Sequence, residues 1–213
     1  TKYYESGQND VQLWHNRGFA LTGLPPFNVA SIPLLFNFWS NVQLGTGRSE
    51  RIGDKITPRG MSIKMFIANK FDRPNTMHRV IVARLPKEYA GGVTGSVFDP
   101  FQNNACGNRM LLHADHDKGV KFLYDKIHRT TPNQAIGGGY PEFNAAVVKE
   151  GTKCIKLWIK RKSARPIVFN QNLQQIVNSP IAVYVIPYEQ YSTAESSNIS
   201  SLTYVARIYY KDL

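Results

Sequence analysis

The segment Ile155-Lys156-Leu157-Trp158-Ile159-Lys160-Arg161-Lys162 alternates apolar and polar residues with a strict period of two. Successive side chains of a strand point to opposite faces, so Ile155, Leu157 and Ile159 share one face while Lys156, Trp158, Lys160 and Lys162 share the other. The first face belongs in a core. The second sets ammonium groups beside an indole, which suits a polyanion with stackable rings, because phosphate attracts the cations and a base can lie on the ring. A strand kept soluble by lysines, with Trp158 packed under a loop, would show the same eight residues.

The rest of the chain also reads as β. Short runs rich in β-branched and aromatic residues recur between Pro, Gly, Asn and Ser, and no long stretch holds a helical period. Strands are expected near 30–39, 56–69, 77–85, 119–129, 153–162, 166–170, 181–188 and 202–211. That pattern predicts an all-β, two-sheet sandwich in a single domain over residues 1–213, with 42% hydrophobic residues to fill its core. Ser62 to Ala68 alternates with Ile63, Met65 and Ile67 inward, whereas Ile181 to Ile186 is apolar throughout, as in a central strand covered on both faces. The two sheets are therefore expected to differ in exposure. Long connections at 86–118 and 130–152, and a Ser/Thr-rich loop over 191–201, have the length of loops that carry function.

The formal net charge of +11, from 26 basic against 15 acidic side chains, calls for an anionic partner. Nucleic acid, acidic lipid and polyanionic glycan all qualify. No run approaches the roughly 20 apolar residues needed to cross a bilayer and no signal peptide opens the chain, so a soluble, non-secreted protein without membrane insertion is expected. Cys106 and Cys154 match no metal or redox spacing and read as free thiols in a reducing compartment. Nine Lys or Arg lie from Arg48 to Arg84 against Glu50, Asp54 and Asp72, and six lie from Lys153 to Arg165 with no acid. Trp14-His15-Asn16-Arg17 again mixes an aromatic ring with a cation, and Lys160-Arg161-Lys162 has the composition of a nuclear import signal.

Catalytic groups are sparse. His113-Ala114-Asp115-His116-Asp117 offers imidazole and carboxylate for a divalent metal, yet four ligands within five residues cannot all aim at one ion without unusual backbone geometry. Gly45-Thr46-Gly47-Arg48 lacks the lysine and spacing of a phosphate-binding P-loop, and no nucleophile signature is present. Neither catalysis nor a cofactor is expected.

The run Gly45-Thr46-Gly47-Arg48-Ser49-Glu50-Arg51-Ile52-Gly53-Asp54-Lys55-Ile56-Thr57-Pro58-Arg59-Gly60, leading into Met61 to Ala68, resembles a segment of the capsid proteins of small circular, Rep-encoding single-stranded DNA viruses, circoviruses among them. Arg79-Val80-Ile81-Val82-Ala83-Arg84, Phe122-Leu123-Tyr124-Asp125-Lys126 and Arg207-Ile208-Tyr209-Tyr210-Lys211-Asp212 resemble later strands of that family in the same order. The resemblance spans about residues 40–213.

It implies a single jelly roll of eight antiparallel strands, of the viral capsid type. Sixty copies would assemble into a T=1 icosahedral shell around circular single-stranded DNA, in the virion and, during assembly, in the host nucleus. It also implies an Arg-rich arm, which would lie upstream of Thr1. Trp14, Arg17, Lys156, Trp158, Lys160 and Lys162, with Arg207 and Lys211 behind them, are the candidate nucleic-acid contacts, neutralising phosphate and stacking bases without reading sequence. If the Trp158 face points outward, the same residues would suit an acidic glycan on a host-cell receptor, and the loops at 86–118, 130–152 and 191–201 would carry host recognition. Two other readings remain open on the residues alone. One is a monomeric polyanion- or nucleic-acid-binding β-sandwich; the other is a jelly-roll enzyme or lectin with His113, Asp115 and His116 as metal ligands.

Overall fold

The computed structural model describes residues 1–16, 19–20, 42–70, 73, 76–86, 101, 108–130, 151–160, 166–169, 181–189 and 197–212. Through them run β1 (Lys2–Trp14), β2 (Phe19–Ala20), β3 (Lys55–Asn69), β4 (Thr76–Arg84), β5 (Lys121–Thr130), β6 (Thr152–Lys160), β7 (Ile167–Val168), β8 (Ile181–Glu189) and β9 (Asn198–Asp212). One antiparallel sheet has the order β1-β9-β3-β6, with β7 paired to the start of β3; the other has the order β2-β8-β4-β5. Among the described residues, five strands in one antiparallel sheet and four in the other, with a chain that keeps crossing between them, make a jelly roll.

The alternation read in the sequence explains the packing. Ile63, Met65 and Ile67 of β3, Ile155 and Leu157 of β6, and Leu202, Tyr204, Ala206, Ile208 and Tyr210 of β9 point inward from the first sheet. Val80 and Val82 of β4 and Ile181, Val183 and Val185 of β8 meet them from the second. The intervening residues of β4 and β8, Ile81, Ala83, Ala182, Tyr184 and Ile186, are buried too, in a second cluster on the far side of that sheet. Phe101, Met110, Leu112, Ala114 and Val120 from the long 86–118 connection and its continuation close this cluster. The uniformly apolar β8 is thus covered on both faces, as its sequence predicts.

Two cations tie the cover down. Buried Arg79 of β4 donates from Nε and Nη2 to the Asp125 carboxylate of β5 at 2.8 and 2.6 Å, and from Nη1 to the Arg109 carbonyl at 2.7 Å. Its guanidinium also sits 5.5 Å from the Phe101 ring centroid and 5.8 Å from that of Phe122. Arg109 in turn donates its backbone N–H to Asn16 Oδ1 at 2.9 Å and its guanidinium to the Asn16 carbonyl at 2.5 Å.

The run from Gly45 to Asp54 is a tied loop before β3. Glu50 folds back so that Gly47 N–H donates to its carboxylate at 2.7 Å. Arg51, almost wholly buried, donates to the Gly53 carbonyl and to Asp54, and stacks 4.1 Å above the Phe169 ring.

Seven of the expected strands are present, six within a few residues of their predicted limits and the seventh, β9, beginning earlier, at Asn198. The expected strand at 30–39 lies outside the described residues. β1 and β2 were not anticipated. In β1 the stretch Glu5-Ser6-Gly7-Gln8-Asn9-Asp10 holds poor strand formers, yet it pairs with β9 from Lys2 to Trp14, with an irregularity between Gln8 and Val11 where Asp10 adopts φ 54°. Tertiary pairing overrides propensity there.

Candidate nucleic-acid interface

The outer face of the first sheet is open where that of the second is covered. Registers across β1, β9, β3 and β6 place its residues in rows: Tyr3, Tyr209, Gly60 and Lys160; then Glu5, Arg207, Ser62 and Trp158; then Gly7, Val205, Lys64 and Lys156; then Thr203, Phe66 and Cys154. Lys211, paired with Thr57, continues the face beyond Tyr209. Trp158 is 58% exposed and Phe66, Tyr3 and Val205 are each 44% exposed, on strands whose other residues are core.

Three rings form an oblique strip over this face. Trp158 lies 5.4 Å from Tyr209 at an interplanar angle of 57°, and Tyr209 lies 6.4 Å from Tyr3 at 47°. Gly60 makes the strip continuous, because a Cβ there would sit 2.8 Å from Trp158 Cζ2 and 3.1 Å from the Ile159 carbonyl oxygen. Only glycine lets the indole lean across β3 towards β9. The Pro58–Gly60 irregularity, where proline removes a ladder donor, sits beside this seat.

The charge on the face is uneven. Arg207 is neutralised: its Nε and Nη2 donate to Glu5 at 2.6 and 2.5 Å, and its guanidinium lies 4.6 Å from the Tyr3 ring centroid. The Glu5 hydrogen bond holds its pKa above the ordinary arginine value. Lys64, Lys156, Lys160 and Lys211 have no carboxylate partner among the described residues. Lys64 and Lys156 stand directly opposite each other on β3 and β6, a like-charge pairing that destabilises a sheet.

Of the residues expected to bind nucleic acid, Lys156, Trp158, Lys160, Arg207 and Lys211 share this face. Trp14 pairs with Asn198 at the far end of the sheet, nine residues along β9 from Arg207 and so about 30 Å from the Trp158 row. Arg17 and Lys162 lie outside the described residues. Tyr3, Tyr209 and Lys64 complete the face but were not singled out from the sequence. The alternation of β3 and β9 already put Lys64 and Tyr209 opposite the core positions, whereas Tyr3 sits on a strand whose composition hides it.

The basic window from Arg48 to Arg84 does not form one patch. Arg51 and Arg79 are buried and committed within the fold, and Arg73 pairs with Glu189 at 2.9 Å. The acidic and histidine tract is likewise structural in part. Asp115 is buried, accepts the Lys118 N–H at 3.1 Å and pairs with its ammonium at 2.8 Å; that side-chain hydrogen bond lowers its pKa. The turn closes at Gly119, which has φ 75°. No group of three or more His, Cys, Asp or Glu side chains among the described residues is arranged to hold a metal.

One titratable group sits inside the sandwich. His78 of β4, wholly buried, is within 2.8 Å of Ser200 Oγ of β9 and so links the sheets. Burial, and then His128 beside it, lower its pKa to about 3, which keeps the ring neutral. His128 is lowered too, by burial and by Lys153 and Lys126.

Among the described residues no helix is long and apolar enough to cross a membrane. Cys154 is an exposed free thiol beside Phe66, and Cys106 lies outside the described residues. No protein-family model matches the chain, and no curated protein matches it in sequence.

Proposed function

We propose that the chain is a capsid subunit that assembles, sixty to a T=1 shell, around circular single-stranded DNA. The observation that carries the reading is the two-sidedness of the jelly roll. The first sheet leaves a cationic, aromatic face bare, while β4 and β8 of the second are covered by Phe101, Met110, Leu112, Ala114 and Val120. A wall around a polyanion needs one face for its contents and another for its surroundings. With a net charge of +11 per chain, close packing is repulsive unless phosphate neutralises it, so shell and contents would form together and salt would weaken packaging. In this arrangement the Trp158 face lines the interior, and the covered side carries the loops that meet a host-cell receptor. The protein acts structurally, not as an enzyme, in the virion and, during assembly, the host nucleus.

A monomeric nucleic-acid-binding sandwich is the second reading. It is favoured by the fact that the ring strip and its lysines lie on one subunit and need no neighbour for completeness. Sedimentation velocity, recorded at wavelengths for both protein and nucleic acid, separates the two. A fast boundary of shell size carrying excess nucleic-acid absorbance is expected for the capsid. A slow single-subunit boundary at every concentration and moderate salt would replace it with the binding module.

A further inference from the structure

We infer that the strip formed by Trp158, Tyr209 and Tyr3, flanked by Lys160 and Lys211 on one side and Lys64 and Lys156 on the other, is a stacking site selective for single-stranded nucleic acid over duplex. This deepens, and rests on, the nucleic-acid reading above, but not on shell assembly. Exposed Trp158 and Tyr3, with half-buried Tyr209 between them, offer ring faces that only unpaired bases can stack on, because a duplex keeps its base faces stacked inside and presents phosphates and base edges. Same-face residues on a strand are about 7 Å apart, so Lys156 and Lys160 lie just before and just after Trp158 along β6. A base resting on the indole therefore has an ammonium group on either side for its phosphates.

The strip has a charged end and a neutral end. Towards β6 and β3 the lysines have no carboxylate partner among the described residues, whereas towards β1 the Arg207 charge is consumed by Glu5. The backbone of the bound strand accordingly follows β6 and β3, with Tyr209 and Tyr3 extending the ring surface for neighbouring bases. An acidic glycan is a poorer fit. Sugar hydroxyls are best held by carboxylates that accept from them, and the carboxylate nearest the rings, Glu5, is occupied by Arg207. Stacking is indifferent to base identity, so the site should accept any sequence.

The test compares four labelled or competing probes on the full chain: a deoxythymidine oligonucleotide, an abasic phosphodiester of equal length, a duplex and heparin. The thymidine strand is expected to bind at least about 10-fold more tightly than the abasic one. Trp158→Ala should lower thymidine binding far more than abasic binding and so cut that ratio at least about threefold, and Trp158→Phe should keep more of it. Lys64→Ala or Lys156→Ala should weaken both strands alike and reduce the salt slope by about 0.7 each. Equal binding of thymidine and abasic strands, stronger binding of duplex, or full competition by heparin with no effect of Trp158→Ala would overturn the proposal. Where the protein forms particles, an iodouracil strand supplied during assembly should photocross-link to peptides holding Trp158, Tyr209 or Tyr3, and cross-links confined to other peptides would refute it. Ring-dependent binding by a chain that never forms shells would sink the capsid reading alone; shells without ring dependence would sink this one alone.

Discussion

The outer faces of the two sheets differ in sequence pattern and in fate: β8 is apolar throughout, whereas β3 and β6 alternate. On β4 and β8 the residues between the core positions are Ile81, Ala83, Ala182, Tyr184 and Ile186, and the chain brings a hydrophobic cover to them. On β3, β6 and β9 the equivalent residues include exposed Lys64, Lys156, Lys160, Phe66 and Trp158, with half-buried Tyr209 among them. Rings and cations occur on both faces, but their roles are opposite. Arg79 stacks near Phe101 and Phe122 as an internal tie, satisfied by Asp125 and the Arg109 carbonyl. Lys64, Lys156 and Lys160 stand beside Trp158 with no carboxylate partner among the described residues. Buried contacts are concentrated on one outer face, and exposed rings with unpaired lysines among the described residues on the other.

The largest effect should come from opening the cover. Phe101→Ala removes a buried ring from the second cluster and should lower unfolding stability by about 3–5 kcal/mol in urea titrations, while Phe66→Ala on the bare face should cost about 0.5 kcal/mol or less. Equal losses at the two sites would erase the distinction between the faces.

The two arginine–carboxylate pairs sharpen it next. Arg79→Met strands the partly buried Asp125 and should cost about 3 kcal/mol, whereas Arg207→Ala breaks an exposed pair and should cost under about 1 kcal/mol. Urea denaturation of both variants at one pH measures the difference.

Acid should act through the interior and not through the bare face. Folded His78 stays neutral down to about pH 3, while the unfolded chain takes up the proton near 6.5. The unfolded state therefore binds more protons between those values. The stabilisation is complete above pH 6.5 and is lost as pH falls towards 3, by about 1.4 kcal/mol per unit at most. His78→Gln should flatten this slope in thermal melts taken from pH 7 to 4; an unchanged slope would assign acid lability to other groups.

The smallest effect has the opposite sign. Lys64→Thr relieves the like-charge pairing with Lys156 and should stabilise the fold by a few tenths of a kcal/mol at low salt, with the gain fading as salt is added. A loss of stability at low salt would mean that Lys64 serves the fold and not a ligand.

Much of this contrast is legible in the sequence. Ile63, Met65 and Ile67, and Ile155, Leu157 and Ile159, announce one-sided strands by period two, and the unbroken apolar run of β8 announces a strand covered twice. What alternation could not reveal is pairing. β1 has the composition of a loop over Glu5 to Asp10, and it becomes a strand because β9 offers it a ladder; with it come Tyr3 and Glu5. Arg207 therefore looked like a phosphate ligand in the sequence, although Glu5, more than 200 positions away in the chain, takes its charge.

The sequence by itself determined which residues face the core, that the fold is all-β, and that one strand joins lysines to an indole. Those properties depend on neighbours two positions apart, and local geometry carries them. Only the tertiary structure decided which cations are already neutralised, that Gly60 seats Trp158 against Tyr209, and that one sheet is covered while the other is bare. Each of these depends on register between strands distant in sequence, which is set by the packing of the whole sandwich and leaves no periodic trace in any one segment.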